Sequence, residues 1–497
     1  MMAFNTENLL LIGSILVFTA IVLSKTGYRW GVPALLIFLL VGMGFGSDGL
    51  GIVFNNYHQA QFVGVAALAV ILFTGGMETK ISSIKPVLKQ GILLSTVGVC
   101  LTVLFTGAFI FFLTRIENIS LSLSIVMCFL LAAVMSSTDS ASVFNILKTS
   151  KLRLKENIQP TLELESGSND PMAYVITIVL IQAATILFDP AAATEGINYT
   201  SIILSSLWIL FKEIALGGLF GVGIGFGAYW LLRKVDIHSS PLNAIMLLSV
   251  SLFTISITQI SGGNGYLAVY VAGLIIGNKQ MNDRKAIISF LDGMTWIMQI
   301  GMFLTLGLLV NPDDMIKVAP VALLIGLFLI FVARPLSVFI SLSFVRNLSL
   351  RAKTFISWVG LKGAVPIIFA TYPIVAGVPG SEQIFNIVFF ITILSMGLQG
   401  MTVPKVAHWL HLAKPQENKP DTFGIEIPEE AGKMKDYALT NDDLSEGNTL
   451  KEISLPEGAR VVIIKRDEKF IVPDGTVHLK AGDKLLMIIA DNVQNAQ

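Results

Sequence analysis

The chain has 497 residues, 54% of them hydrophobic and only 14% charged, with 34 basic and 34 acidic side chains and no net charge at neutral pH. A soluble domain carries about 25% charge, so this composition specifies a polytopic membrane protein, and the even balance gives no sign of a nucleic-acid-binding surface. Cys100 and Cys128 lie in apolar runs, form neither a metal spacing nor a disulfide framework, and read as small packing residues. Of the five histidines only His408 and His411 are close, and that pair lacks further metal ligands.

A bilayer core takes about 20 apolar residues per helix. Thirteen segments meet that criterion, beginning near residues 8, 30, 60, 90, 122, 162, 209, 240, 264, 288, 318, 354 and 383. The first lacks a basic n-region and a cleavage site ahead of a soluble domain, so it reads as a retained helix. The run 201–232 is too long for one upright helix. It is read as a surface stretch, 201–208, leading into a span, with Lys212-Glu213 near an outer interface. Seventeen Lys and Arg residues fall in loops after odd-numbered segments, against Arg115 and Lys317 in the opposite loops. This asymmetry places the N-terminus outside and the C-terminus in the cytoplasm, across a plasma (inner) membrane, and supports an odd number of spans.

Segment five is interrupted by Ser136-Ser137-Thr138-Asp139, and segment six carries Glu165-Ser166-Gly167-Ser168-Asn169-Asp170-Pro171. Segment eleven contains Arg334-Pro335, and segment twelve is interrupted by Gly360-Leu361-Lys362-Gly363-Ala364-Val365-Pro366. A charge at the bilayer centre costs about 2.5–3.5 kcal/mol even on the lenient scale, so such groups mark ion pathways. The two interruptions lie seven segments apart, the offset of an inverted repeat of six plus six about a linking span. Paired broken helices of this kind point to a transporter's midplane site.

On a helix Glu165 and Asn169 share a face, while Asp170 points about 140° from Glu165. Asp170 is therefore the candidate exchanging group, an ionised cation ligand that becomes neutral on taking a proton. Asn169 beside it donates or offers a carbonyl, and Pro171 loosens the helix. Thr138 and Asp139 supply oxygens suited to a hard alkali cation, and Asp139 also suits a helix N-cap at the break. Glu165 reads as a buried bridge to Arg334, and Lys362 as support for the opposed helix ends. Glu163 and Asp292 read as interfacial or funnel charges. One exchanging carboxylate per monovalent ion makes the exchange electroneutral. No catalytic residue and no cofactor are expected beyond the transported H+ and K+ or Na+, which oxygen ligands serve alike. The rival readings are a regulated K+ channel, which lacks a Thr-Val-Gly-Tyr-Gly-type filter, and an intramembrane hydrolase, which lacks a nucleophile and a metal cluster.

With these motifs the chain resembles the cation:proton antiporter superfamily, in its NhaP-type branch of bacterial potassium/proton antiporters, over about residues 8–412. Gly262-Gly-Asn-Gly-Tyr-Leu-Ala-Val-Tyr-Val-Ala-Gly-Leu-Ile-Ile-Gly277 adds to the likeness. The resemblance implies an all-α membrane domain with two crossed broken helices. It also implies a homodimer in lipid whose core bundle moves as an elevator, and cation or proton binding at Asp170 with Asn169, Thr138 and Asp139 nearby. It further implies roles in pH, K+ and volume homeostasis. One position departs: Lys362 stands where the family usually has Arg, keeping charge but losing the planar fork.

Composition changes after Leu412. Residues 413–434 read as a linker, and 435–497 as a small α+β module with a helical 449–455 and strand-like 460–466, 469–472, 476–479 and 484–490. Gly447-Asn-Thr-Leu-Lys-Glu and Pro473-Asp-Gly-Thr make it resemble the C-terminal subdomain of potassium-conductance regulators. That resemblance implies either a small regulatory ligand such as a nucleotide or a purely dimerising role. No Gly-x-Gly-x-x-Gly fold precedes it.

Overall fold

Backbone amides in a bilayer find no water, so a spanning chain must satisfy them internally, and helices do this locally. The computed structural model describes residues 6–28, 31–117, 123–150, 152–188, 199–235, 239–281, 283–345 and 347–415, and in the tail 434–439, 443–444, 447–453, 455, 459–466 and 469–489. Two compact units divide the chain, Met1–Pro415 and Gln416–Gln497.

The first unit runs α1 (Thr6–Tyr28), α2 (Ala34–Phe45), α3 (Tyr57–Glu78), α4 (Ile81–Leu113), α5 (Ile125–Val134), α6 (Ser140–Thr149) and α7 (Ile158–Leu187). It continues with α8 (Tyr199–Val235), α9 (Ser240–Ile260), α10 (Gly265–Gly277), α11 (Arg284–Leu309) and α12 (Pro312–Ser341). The last helices are α13 (Leu350–Trp358), α14 (Ala364–Val375), α15 (Ser381–Leu398) and α16 (Val403–Trp409). Among the described residues nine helical stretches are long and apolar enough to cross a membrane, and α2, α5, α10 and α14 are shorter apolar helices.

Both expected interruptions are present. Residues 135–139 part α5 from α6, and 359–363 part α13 from α14. The local cause differs: hydroxyl and carboxylate side chains compete for backbone donors in the first, and Gly360 and Gly363 weaken the helix in the second. The reading of 201–208 changes. Residues 201–208 do not lie apart on a surface, because α8 is continuous for 37 residues. Nothing in that stretch breaks a helix, and Ile203, Leu204, Leu207 and Trp208 are exposed apolar side chains suited to lipid. Glu213 is buried.

The helices pack in two groups. One joins α1, α2, α3, α8, α9, α10 and α11; the other joins α4, α5, α7, α12, α14 and α15. In the first, Gly273 and Gly277 of α10 lie against the Phe73 and Met77 carbonyls of α3, an approach that a Cβ would prevent. Strand β1 (Leu152–Leu154) pairs antiparallel with β2 (Ala413–Pro415), so the first three residues of the expected linker belong to the membrane unit. The rest of that linker, to 433, lies outside the described residues.

The tail unit holds β3 (Met434–Ala438), β4 (Ala459–Arg466), β5 (Lys469–Ile471) and β6 (Lys484–Ile489), in the antiparallel order β3-β6-β4-β5. Its core is Leu439, Ile453, Ile464, Leu479, Leu485 and Met487. The helix expected at 449–455 contracts to a single turn, closed by Ile453 N–H on the Thr449 carbonyl at 3.1 Å, with Thr449 bridging to His478. Arg466 ties β4 to the turn before β6: its Nε donates to Asp483 Oδ1 at 2.8 Å and its Nη2 to Oδ2 at 2.6 Å. Burial would raise the Asp483 pKa, but the Arg466 bonds and charge and the Lys480 N–H outweigh it and hold the carboxyl below its ordinary value. A lowered carboxylate pKa stabilises the fold above the ordinary value near ~4 and loses that contribution as the pH falls through the lowered one. Asp483→Asn is therefore expected to weaken the tail at neutral pH and to flatten its acid dependence, read as protease cleavage within 434–489 across a pH series.

Candidate ion-exchange site

The two interrupted segments bond to each other. Asp139 N–H donates to the Leu361 carbonyl at 2.7 Å, and Lys362 Nζ donates to the Ser137 carbonyl at 2.8 Å, with the Ser136 carbonyl at 3.5 Å. Lys362 is 1% exposed, so its charge is offset by these carbonyl dipoles just past the C-terminus of α5, where a cation is favoured. Gly363 fits because the Asp139 carboxylate occupies the place of a Cβ.

Helix α7 supplies the groups opposite the crossing. Ser137 Oγ donates to Asp170 Oδ1 at 2.5 Å. Asn169 Nδ2 donates to Thr138 Oγ1 at 2.5 Å, and Ser166 Oγ to the Thr138 carbonyl at 2.8 Å. Asn169 Oδ1 is buried without a hydrogen-bond partner. Asp139 caps α6 through Ser142, whose N–H reaches Oδ1 at 2.9 Å and whose Oγ reaches Oδ2 at 2.5 Å. Each carboxylate oxygen keeps a second lone pair, and Asp139 still faces the cavity described next.

That cavity, about 350 Å³, is lined by Asp170, Asp139, Ser166 and Gly167, and its other charged lining residues are Glu78, Glu163 and Asp292. Among the described residues every charged group on its wall is thus acidic, which raises the local concentration of cations. On the far side of α7 from this cavity, Glu165 pairs with Arg334 Nη2 at 2.5 Å, both nearly fully buried. Arg334 follows a widened π-helical turn, Leu329–Ala333, and its side chain passes over Gly360, where a Cβ would meet it.

All seven residues singled out in the sequence therefore meet at one crossing, with Asp170 and Asp139 at the cavity and Glu165, Arg334 and Lys362 behind it. Ser137, Ser166 and Asn264 join the site although their motifs gave them no role. The signal was available for Ser137 in the doubled serine at the break. Asn264 gave none beyond its place before α10.

The model of the transmembrane sodium/hydrogen exchanger family matches residues 12–409. The chain belongs to this family. A TrkA-C domain model matches residues 435–495 of the exchanger. The exchanger is 38% identical over 490 residues to the K(+)/H(+) antiporter NhaP2 of Shewanella oneidensis, spanning 97% of this chain and 81% of that protein. It is 36% identical over 486 residues to the K(+)/H(+) antiporter NhaP of Alkalimonas amylolytica, spanning 96% and 80%. Its fold is shared with the sodium proton antiporter MjNhaP1 of Methanocaldococcus jannaschii, at TM-score 0.66 and 23% identity over 81% of this chain and 99% of that one.

Removing one partner of a buried pair leaves an uncompensated charge and costs about 3–5 kcal/mol. Arg334→Leu is expected to lower the thermal midpoint of the detergent-solubilised exchanger sharply, and the double change Arg334→Leu with Glu165→Leu to recover most of the loss. A single variant as stable as the parent would show that the pair carries no such burden.

Proposed function

We propose that this protein is a secondary antiporter that exchanges K+ for H+, with Asp170 as the shared site for cation and proton. The observation that carries the reading is Asp170 itself, a buried carboxylate on the wall of a cavity whose charged lining, among the described residues, is acidic. Ionised, it can hold an alkali cation with oxygens of Thr138, Asp139 and the unpartnered Asn169 Oδ1; protonated, it releases the cation. The two states compete for one carboxylate, which couples the ions. Potassium is favoured over sodium by the names of the relatives at 36–38% identity.

Asn169 is neutral where a second acid would add charge, so one proton exchanges for one monovalent cation without net current. Exchange of this kind draws nothing from the membrane potential, which is worth about 2.3 kcal/mol per charge per 100 mV. Basic-residue placement supports a plasma (inner) membrane location, an outside N-terminus and a cytoplasmic tail. The cavity then opens to the cytoplasm, since Glu78 ends α3 and Glu163 begins α7. Movement of the α4, α5, α7, α12, α14 and α15 group against the other helices, in a homodimer, would carry Asp170 between the two sides as an elevator. The tail acts as a regulatory or dimerising unit, and the whole serves pH, potassium and volume homeostasis. A channel reading is disfavoured because the path beyond Asp170 is filled by packed aromatic rings rather than by a filter.

Cation-induced proton flux in proteoliposomes tests the proposal. Potassium is expected to drive proton movement in the parent protein, with no accompanying current, and Asp170→Asn to abolish it. Flux that survives Asp170→Asn moves the site to Asp139 or Glu165, and potassium flux without protons makes the protein a channel.

A further inference from the structure

Asp170 is the last residue of α7 on the cavity wall. That wall includes Glu163, Ser166, Gly167 and Asp170 of α7, Tyr270 of α10, and Ala364 and Val365 of α14. One or two turns further along each helix, away from the cavity, stand Tyr174, Tyr266, Phe369 and Tyr372. Their rings pack on one another, with Tyr174 4.9 Å from Tyr266 and 5.5 Å from Tyr372, and Tyr266 5.6 Å from Phe369. Tyr266 belongs to the helix group of α3 and α8, whereas the other three rings belong to the group that holds Asp170.

Two of the hydrogen bonds that cross this boundary leave the N-terminal end of α10. The Tyr266 and Tyr372 hydroxyls lie 2.8 Å apart. Asn264, wholly buried, donates from Nδ2 to the Pro171 carbonyl at 2.8 Å, directly after Asp170. The rest of Asn264 is fixed on its own side: Oδ1 caps α10 at Leu267 N–H, 3.0 Å, and its N–H donates to the Glu213 carbonyl of α8 at 3.0 Å. An amide so held on one side reaches across to the helix that moves the ion.

We propose that Asn264 and Tyr266 are positioning residues of the exchange. Their two bonds hold the Asp170 helix and α14 in the state whose cavity is open, and they break when Asp170 turns to the opposite side. This rests on the exchange reading above. Weakening the bonds lowers the population of the cavity-open state, and apparent affinity from that side falls in proportion to that population.

The test uses Asn264→Ser, which keeps an N-cap oxygen for α10 but cannot reach Pro171, and Tyr266→Phe, which removes one oxygen and keeps the ring. Both are reconstituted in vesicles of defined orientation, with exchange measured from each side. Loss of one buried hydrogen bond is expected to raise the KM for the cation on the cavity side by roughly three- to tenfold. The KM on the opposite side should fall, and the maximal rate should be kept or increased. A role in folding alone would lower yield and maximal rate together and leave both KM values in place; that outcome, or unchanged kinetics in Tyr266→Phe at parental yield, overturns the proposal. Should Asn264→Ser fail to assemble, Tyr266→Phe decides by the same readout. A parent protein without exchange defeats the functional reading and this inference together.

Discussion

The rest of the membrane unit depends on how two broken helices satisfy each other inside a bilayer. Each break frees backbone carbonyls and amides that lipid cannot bond, and each such group left alone costs several kcal/mol. The crossing supplies the partners from within: the Asp139 amide takes the Leu361 carbonyl, and the Lys362 ammonium takes that of Ser137. The Lys362 amide in turn donates to Ser395 Oγ on α15 at 2.9 Å. An ammonium is enough for this work because carbonyl oxygens are point acceptors. The planar fork of an arginine would add specificity only for a bidentate partner, and the carbonyls of Ser136 and Ser137 do not form one.

Once the crossing is fixed, the charges sort themselves by side. Glu165 and Asp170 are five residues apart on α7 and face different surroundings. Glu165 meets Arg334 with both side chains nearly fully buried, and the two charges neutralise each other. Asp170 meets a hydroxyl, Ser137, and open space. A hydroxyl can donate to the carboxylate when it is ionised and accept from it when it is protonated, so the same neighbour satisfies either protonation state. A basic neighbour in its place would favour only the ionised one.

Much of this was legible in the letters, for a physical reason. Charges and breaks in apolar segments are costly, so their positions stand out, and Thr138, Asp139, Glu165, Asn169, Asp170, Arg334 and Lys362 were all found that way. The continuity of α8 was missed because length alone suggested a bend, while lipid-facing Leu207 and Trp208 tolerate a long, unbroken helix. The turn at 449–453 was misread as a helix because its short apolar pattern fits either state. Asn264 and Tyr266 were hidden for a different reason: a capping asparagine and an aromatic ring are ordinary residues in sequence. Their meaning lies in which helix they touch.

A second pair of irregular turns follows the same symmetry as the breaks. The π-helical turn Leu94–Gly98 in α4 and the turn Leu329–Ala333 in α12 also fall seven segments apart. They lie against one another, with the Thr102 and Ser337 hydroxyls hydrogen-bonded at 2.8 Å and Gly98 facing Ser341 Oγ. A π turn adds one residue to the helix and rotates everything after it. In α12 the next residue is Arg334, which that rotation brings over Gly360 and onto Glu165. In α4 the equivalent residue is Val99, apolar and buried. The inverted halves therefore share a backbone device and differ in the side chain it presents. That difference places a buried guanidinium behind the site in one half only, where it matches Glu165.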